Sequence, residues 1–401
     1  MRRRTFHAAI ALWMGLVLLS GCMARVERSV VAAPPVSLIA VPPPEVLADD
    51  LDLDSLITAI DTSIRYYRKT DGRETYCFRS RCFQGREMVS SLLRFREIMK
   101  GTGSMAEKSA RVGEAFEFYQ AAGNDGAGTV LFTGYFEPVL NGSLIRTESC
   151  RYPLYRTPEE TVSVRLGAFN RKYGKDRLVG RLKGGEVIPH FTRKEIDSDR
   201  SLAGRGLEIA WVDDAVALFI LHIQGSGQIR LPDGRVLRVN YAQSNGKPFR
   251  GLTNHMVEKG YLAADEKSYQ NMKAFLLEHP ELRDDILNYN ESYVFFRIVD
   301  EGPIGSLGLP VVAERSIATD PDSFPKGALA FIKVRKPLFD REGRIQKWVP
   351  TSRFVFSHDA GGAIKGPGRV DLFCGTGVAA ERLAGSLTEK GSMFFLAPRR
   401  P

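Results

Sequence analysis

The chain has 401 residues, 43% of them hydrophobic, and carries a formal net charge of +9. That is longer than most single domains and apolar enough for a packed core. Beyond the first residues no run of 18 apolar positions marks a membrane-spanning helix. A basic balance suits nucleic acid, anionic lipid or an anionic polymer. No basic run is interleaved with aromatics, and the export signal described next excludes nucleic acid as the partner.

Met1-Arg2-Arg3-Arg4 is followed by an apolar run, Ala8–Leu19, and then by Leu19-Ser20-Gly21-Cys22. A basic start, a short apolar stretch and small residues at the cut form a secretory signal over residues 1–21. The four residues ending in Cys22 resemble a bacterial lipobox, which implies cleavage before Cys22, lipidation of it, and a membrane anchor. Met23 follows, rather than the Asp that holds many lipoproteins in the inner membrane. The expected location is therefore the outer membrane, facing the periplasm. Ala32–Val46 holds five prolines, which disfavour helix and central strand, so residues 22–49 are expected to be a lipidated cysteine followed by a semi-rigid tether.

Leu53, Leu56, Ile57, Ile60 and Ile64 recur at helical spacing, as do Met88, Leu92, Phe95 and Met99. Ser104 with Glu107 forms a capping box that opens a third helix, with Val112, Phe116 and Tyr119 inward. Tyr76-Cys77-Phe78, between the first two, reads as loop. After Cys22 four cysteines remain: Cys77, Cys82, Cys150 and Cys374. In an oxidising compartment Cys77 and Cys82 can pair, leaving Cys150 and Cys374 to pair by elimination; buried free thiols are the alternative. No Cys or His cluster has zinc-like spacing, so no metal and no cofactor are expected.

Gly128–Val139 opens a β-rich region in which Thr133, Tyr135 and Glu137 share one strand face. Tyr135 combines a ring that can stack on a sugar with a hydroxyl that can hydrogen-bond. Leu218–Tyr241 reads as strand, tight loop and hairpin, with the turn at Pro232-Asp233-Gly234. Gln224, Gly225 and Ser226 at the loop offer an amide and exposed backbone for hydroxyl or N-acetyl groups. His222 reads as a partly buried strand residue, and the six scattered histidines form no Ser/His/Asp order. Ser268–Leu277 is helical up to His279-Pro280, and Asn290–Ile298 is a strand.

From Gly302 onward short strands alternate with Gly and Pro turns. Ser357–Gly385 concentrates the chemistry: Asp359 and Asp371 lie twelve positions apart among Gly361, Gly362, Gly366, Gly368 and Gly375. Such a stretch reads as a shaped loop that lets a ligand approach the backbone at Gly361 and Gly362. Asp is also a common turn residue, so the acids by themselves have a structural reading.

Four segments taken in order sharpen this. They are Thr133–Pro138 (TGYFEP), His222–Gly234 (HIQGSGQIRLPDG), Asn290–Arg297 (NESYVFFR) and the acidic stretch with Asp320 (ATDP), Asp359 (HDAGG) and Asp371 (GRVD). Together they resemble the membrane-bound lytic murein transglycosylase A family with its 3D domain, over roughly residues 50–399. The resemblance implies a mainly β fold with N-terminal helices. It also implies a double-psi β-barrel from residues 50–137 and 298–401, an inserted β-rich substrate domain at 138–297, and a groove between them.

It implies further that peptidoglycan glycan strands are cut without water, leaving a 1,6-anhydromuramyl end. Asp371 would be the acid and base with Asp359 beside it, and Asp320 would support the loop. Thr133, Tyr135, Gln224, Gly225, Ser226, Gly361 and Gly362 would contact the sugar. Complexes with other wall-synthesising or wall-degrading enzymes are conceivable partners for such a protein. Two rivals stand beside this reading. One is a two-carboxylate hydrolase using Glu137 or Asp359. The other is a wall-binding lipoprotein without activity.

Overall fold

The computed structural model describes residues 37–400; the signal sequence, Cys22 and the first part of the expected tether lie outside the described residues. The later part of that tether is not a spacer. Leu38–Val41 is a strand, β1, laid antiparallel on β4 (Phe116–Ala121). Its four apolar residues contain no proline and Leu38 is buried; the five prolines of the segment fall on either side, at 34–35 and 42–44.

Three helices follow: α1 (Leu53–Thr70), α2 (Gly85–Lys100) and α3 (Met105–Ala115). Asp52 caps α1 by accepting from the Ser55 N–H, and the Ser104/Glu107 capping box opens α3 as its spacing predicts. The stripe Met88, Leu92, Phe95 and Met99 is buried against the barrel. Tyr76-Cys77-Phe78 is not loop. It lies in β2 (Thr75–Phe78), which forms a hairpin with β3 (Arg81–Gln84) closed by the Cys77–Cys82 disulfide. Alternating burial of Tyr76 and Phe78 under the barrel accounts for the strand. Cys150 and Cys374 are buried free thiols.

The barrel is a ring of six strands: β5 (Val130–Glu137), β15 (Ser316–Ala318), β16 (Leu329–Phe339), β17 (Ile345–Asp359), β18 (Arg369–Thr376) and β19 (Thr388–Pro398). The order is β19-β16-β17-β15-β18-β5, and β5 pairs back onto β19 to close it. Two contacts, β15 with β17 and β18 with β5, are parallel; the rest are antiparallel. Alternate residues such as Val130, Phe132, Phe331, Phe354, Phe356 and Val370 fill the interior and are wholly buried.

Between β5 and β15 the chain builds a second, six-stranded sheet. Its members are β6 (Val139–Ser143), β7 (Tyr152–Tyr155), β11 (Glu208–Val212), β12 (Ser226–Arg230), β13 (Val236–Ser244) and β14 (Val294–Val299). A three-stranded sheet of β8 (Thr161–Arg165), β9 (Arg177–Lys183) and β10 (Glu186–Ile188) accompanies it. Five helices complete the fold: α4 (Arg193–Asp197), α5 (Ala215–Gln224), α6 (Leu252–Glu258), α7 (Tyr269–Glu278) and α8 (Pro280–Asn288). The β12–β13 hairpin turns at Pro232-Asp233-Gly234, with Gly234 in the left-handed region.

Two expectations are corrected here. Leu218–Gln224 is helix α5, not strand. Asp214 caps its start by accepting from Val216 and Ala217, and Gly225 ends it at φ 78°. An apolar run buried on nearly all sides carries no period that separates helix from strand. Within the Gly-rich stretch, Gly377–Ser386 is also helical (α9). There the strong helix formers Ala379, Ala380, Glu381, Arg382, Leu383 and Ala384 outweigh the flanking glycines.

Candidate active site

Strand pairing brings the acids together. Ala318 on β15 pairs with Asp359 on one flank and with Asp371 on the other. Asp371 pairs in turn with Thr133 of β5, and Thr133 with Thr388 of β19. Paired residues project to the same side of a sheet. The two carboxylates therefore stand two strand spacings apart, with the short Ala318 between them.

Their surroundings differ. Asp359 is anchored on both oxygens. Oδ1 accepts from the backbone N–H groups of Ser306 (2.8 Å) and Ala360 (2.8 Å), and Oδ2 accepts from the Tyr135 hydroxyl (2.9 Å). Burial pushes its carboxyl above the ordinary range, against these three donors, which favour the anion. Tyr135 is half-buried, its ring tilted against Phe373 at 5.2 Å, and burial beside Asp359 pushes its hydroxyl well up. The tyrosine expected to stack on sugar is thus first of all a donor that fixes an aspartate.

Asp371 is the opposite case. Its Oδ1 is buried and has no hydrogen-bond partner among the described residues; the Thr133 Oγ1 paired across from it is likewise without one. Burial raises Asp371 to about 6, with the Arg369 cation pulling it down and the Asp359 charge pushing it up. A group poised there can give a proton and take one back near neutral pH. An unsatisfied buried oxygen costs stability, so its retention points to a partner supplied from outside.

Asp320 stands apart from this pair. It is buried, and its Oδ2 accepts from the Gly366 N–H at 2.8 Å while its Oδ1 accepts from that of Asp322 at 3.2 Å. It therefore ties the loop between β17 and β18 to the barrel. Gly361 and Gly362 lie on that loop; a Cβ at Gly361 would meet the Ile364 side chain at 2.8 Å, whereas one at Gly362 would meet nothing.

A cleft of about 820 Å³ runs past β5 and β18 and is walled on its far side by α5, α6 and α7. Thr133 and Gln224, singled out in the sequence, both line it; Asp371 adjoins it through the lining residues Thr133 and Arg369, while Tyr135, Asp359, Gly361 and Gly362 do not line it. Gln224 spends its Oε1 on the Phe136 N–H (3.0 Å), leaving its NH₂ as the donor. Gly225 and Ser226 do not join them: the first caps α5 and the second is a buried residue of β12. Glu137 is 1% exposed and accepts from Thr376 Oγ1 (2.7 Å) and Gln228 Nε2 (2.9 Å), so it holds strands together.

Three site residues escaped the sequence reading. Arg369 lines the cleft with a buried, unpartnered Nε, and it stands two positions before Asp371 on the same strand face, a period-2 signal that was legible. Phe249 adds an exposed ring to the cleft wall. Ser306 reaches Asp359 from a turn 53 positions away, and no local pattern announces that.

The 3D domain matches residues 315–397, a span that holds all three aspartates, and the MltA specific insert domain matches residues 131–297. The chain is thus a 3D-domain barrel protein carrying that insert. A lytic transglycosylase, LtgG, of Burkholderia pseudomallei is 31% identical, covering 91% of this chain and all of that one, with a TM-score of 0.53. A membrane-bound lytic murein transglycosylase from Agrobacterium tumefaciens is 29% identical over 90% of this chain and 98% of that one, with a TM-score of 0.72. Membrane-bound lytic murein transglycosylase A of Escherichia coli K12 is 29% identical over 281 residues, 69% of this chain and 68% of its own. The chain belongs to the membrane-bound lytic murein transglycosylase A family.

Proposed function

We propose that this protein cleaves the β-1,4 bond between N-acetylmuramic acid and N-acetylglucosamine in peptidoglycan without water, forming a 1,6-anhydromuramyl end. The glycan lies along the 820 Å³ cleft, whose lining residues Thr133 and Arg369 are the strand partner of Asp371 and its neighbour two positions back. Asp371 protonates the departing glycosidic oxygen. The emerging carboxylate then takes the proton from the muramyl C6 hydroxyl as that oxygen closes on C1. One carboxyl serves both steps, and intramolecular attack avoids the entropy cost of capturing water. Asp359, held as an anion by Tyr135, Ser306 and Ala360, supports positive charge at the sugar and keeps Asp371 protonated.

The observation that carries this reading is the unpartnered Asp371 Oδ1 on a carboxyl raised to about 6. The relatives' shared description as lytic murein transglycosylases supports the substrate. The rival in which Glu137 is a second acid finds no support, because both of its hydrogen bonds are internal and it is buried.

Mass spectrometry of muropeptides released from purified sacculi tests the proposal. The wild-type protein is expected to release anhydro ends, and Asp371→Asn almost none while still sedimenting with sacculi. Reducing muramic ends from the wild type would make it a hydrolase. The relatives' names also support membrane association. The anchor is assigned to a lipidated Cys22 on the periplasmic side of the outer membrane. Cys22→Ala should then leave the membrane fraction, and an unchanged distribution would remove the anchor from that residue.

A further inference from the structure

Beyond the cleft, the second sheet holds a separate cavity of about 660 Å³ whose wall is rich in arginine. Arg146, Arg151, Arg193, Arg200 and Arg283 line it against three carboxylates, Asp197, Glu208 and Asp284. Arg193 forms the floor and is 2% exposed. Its guanidinium is held by the carbonyls of Asn290 (3.1 Å) and Ser292 (2.7 Å) and by His222 Nδ1 (3.0 Å), and it lies 4.7 Å over the Phe219 ring. Burial beside that cation keeps His222 neutral, its pKa pushed well down. The single carboxylate near Arg193 is Asp197, at 3.4 Å.

Of the remaining four cations, Arg283 pairs with Asp284 at 3.3 Å and the other three are displayed. Arg146, Arg151 and Arg200 are exposed and form no ion pair among the described residues. Arg151 and Arg283 both approach the Tyr152 ring, at 5.4 and 5.7 Å, and Arg283 donates to its hydroxyl (3.2 Å). Trp211 adds a second ring to the wall. Guanidinium groups arrayed around aromatic walls suit planar carboxylates, which they grip in pairs of hydrogen bonds. A peptide-free strand offers one lactyl carboxylate on each muramyl unit, whereas a short acidic peptide gathers two or more on one chain, the pattern that several guanidinium groups around one cavity suit. Phe219 of α5 lines both spaces, so only one helix separates them.

From this we infer that the arginine-lined cavity binds a short peptide bearing at least two carboxylates, the stem peptide of the wall polymer. The identity of the peptide rests on the peptidoglycan reading above; its acidity rests on the cavity alone. The function is to hold a peptide-bearing strand beside the one being cut.

Titration calorimetry with a purified acidic stem tetrapeptide tests this on the full chain, without turnover. Binding is expected for the wild type, with at least a roughly tenfold loss in the double variant Arg146→Gln/Arg151→Gln, since each removes a charge-assisted contact. The same peptide with its carboxylates amidated should not bind. Equal binding by wild type and double variant, no binding by either, or equal binding of the amidated peptide would overturn the inference. Turnover then separates the two readings. The double variant should cut peptide-free glycan at the wild-type rate, which shows that it folds, yet need a higher concentration of peptide-bearing strands. A wild type that binds the tetrapeptide but cuts neither substrate would sink the transglycosylase reading and leave the cavity's ligand standing.

Discussion

At the scale of single residues, the two aspartates separate by what touches them. Asp359 has three donors, which favour its anion against burial, whereas Asp371 has a bare oxygen; the role of acid is therefore proposed for Asp371. Because the acid must be protonated to act, the rate should fall as pH rises through about 6. The charged neighbours of Asp371 act in opposite directions, which gives a signed test. Arg369→Gln removes a cation that lowers the Asp371 pKa, so the descending limb should move to higher pH. Asp359→Asn removes an anion that raises it, so the limb should move lower. Initial rates on solubilised glycan across pH 4–8 measure both, and limbs that shift together would show that Asp371 is not the titrating group. The two aspartates were marked in the sequence by the resemblance of their segments to the family's acidic stretch, because an aspartate among glycines by itself also reads as a turn residue. Which of them donates was not, because that depends on Ser306 and Tyr135, which reach Asp359 from distant parts of the chain.

At the scale of elements, β5 is where the barrel meets its surroundings. Gly134 sits between the cleft residue Thr133 and the anchoring Tyr135, with α9 packed directly on it. A Cβ there would fall 2.7 Å from Ala384 Cα and 2.9 Å from Cys374 Sγ, one of them backbone that cannot swing aside. Gly134→Ala should therefore cost about 1–3 kcal/mol by overpacking. It should also weaken activity, because Thr133, Ala384 and Gly385 all line the cleft. A lower thermal midpoint checks the first expectation, and an unchanged midpoint would mean that α9 is free to shift.

The elements that the sequence announced are those with a local mechanism: the Ser104 capping box, the Pro232-Asp233-Gly234 turn, and the break at His279-Pro280, where Pro280 opens α8. Of those it hid, α5 is buried on nearly all sides, which erases periodicity, and the strand at Thr75–Phe78 alternates over only four residues, too few to announce it. The β1 strand was masked by the prolines that flank it in the sequence.

At the scale of the molecule, the chain just ahead of α1 is stitched into the barrel by charge. Arg315, wholly buried, pairs with Asp49 at 2.6 Å and also reaches the carbonyls of Asp52 and Phe354. Arg353 is 1% exposed and grips Asp50 with two hydrogen bonds, of 2.8 and 2.7 Å, while also pairing with Glu314. Losing one partner of a buried pair strands the other charge, at about 3–5 kcal/mol. Asp49→Ala should show a loss of that order in urea unfolding, and Asp49→Asn a smaller one because it can still accept. A loss below about 1 kcal/mol would mean that water reaches Arg315 in the variant. The boundary of the folded unit therefore lies ahead of Asp49, and no count of apolar residues in the sequence would have placed it there.

The order in which the barrel strands occur along the chain also governs when the site can exist. Thr133 and Tyr135 belong to β5, which is made early, while Asp359 and Asp371 follow more than two hundred residues later, after the whole second sheet. The ring closes only when β19, ending at Pro398, pairs with both β5 and β16. A chain still emerging from the ribosome or from an export channel therefore lacks the closed ring. The proposed acid thus reaches its finished setting only once the last strand is made, and a chain that stops short of β19 lacks the closed barrel around it.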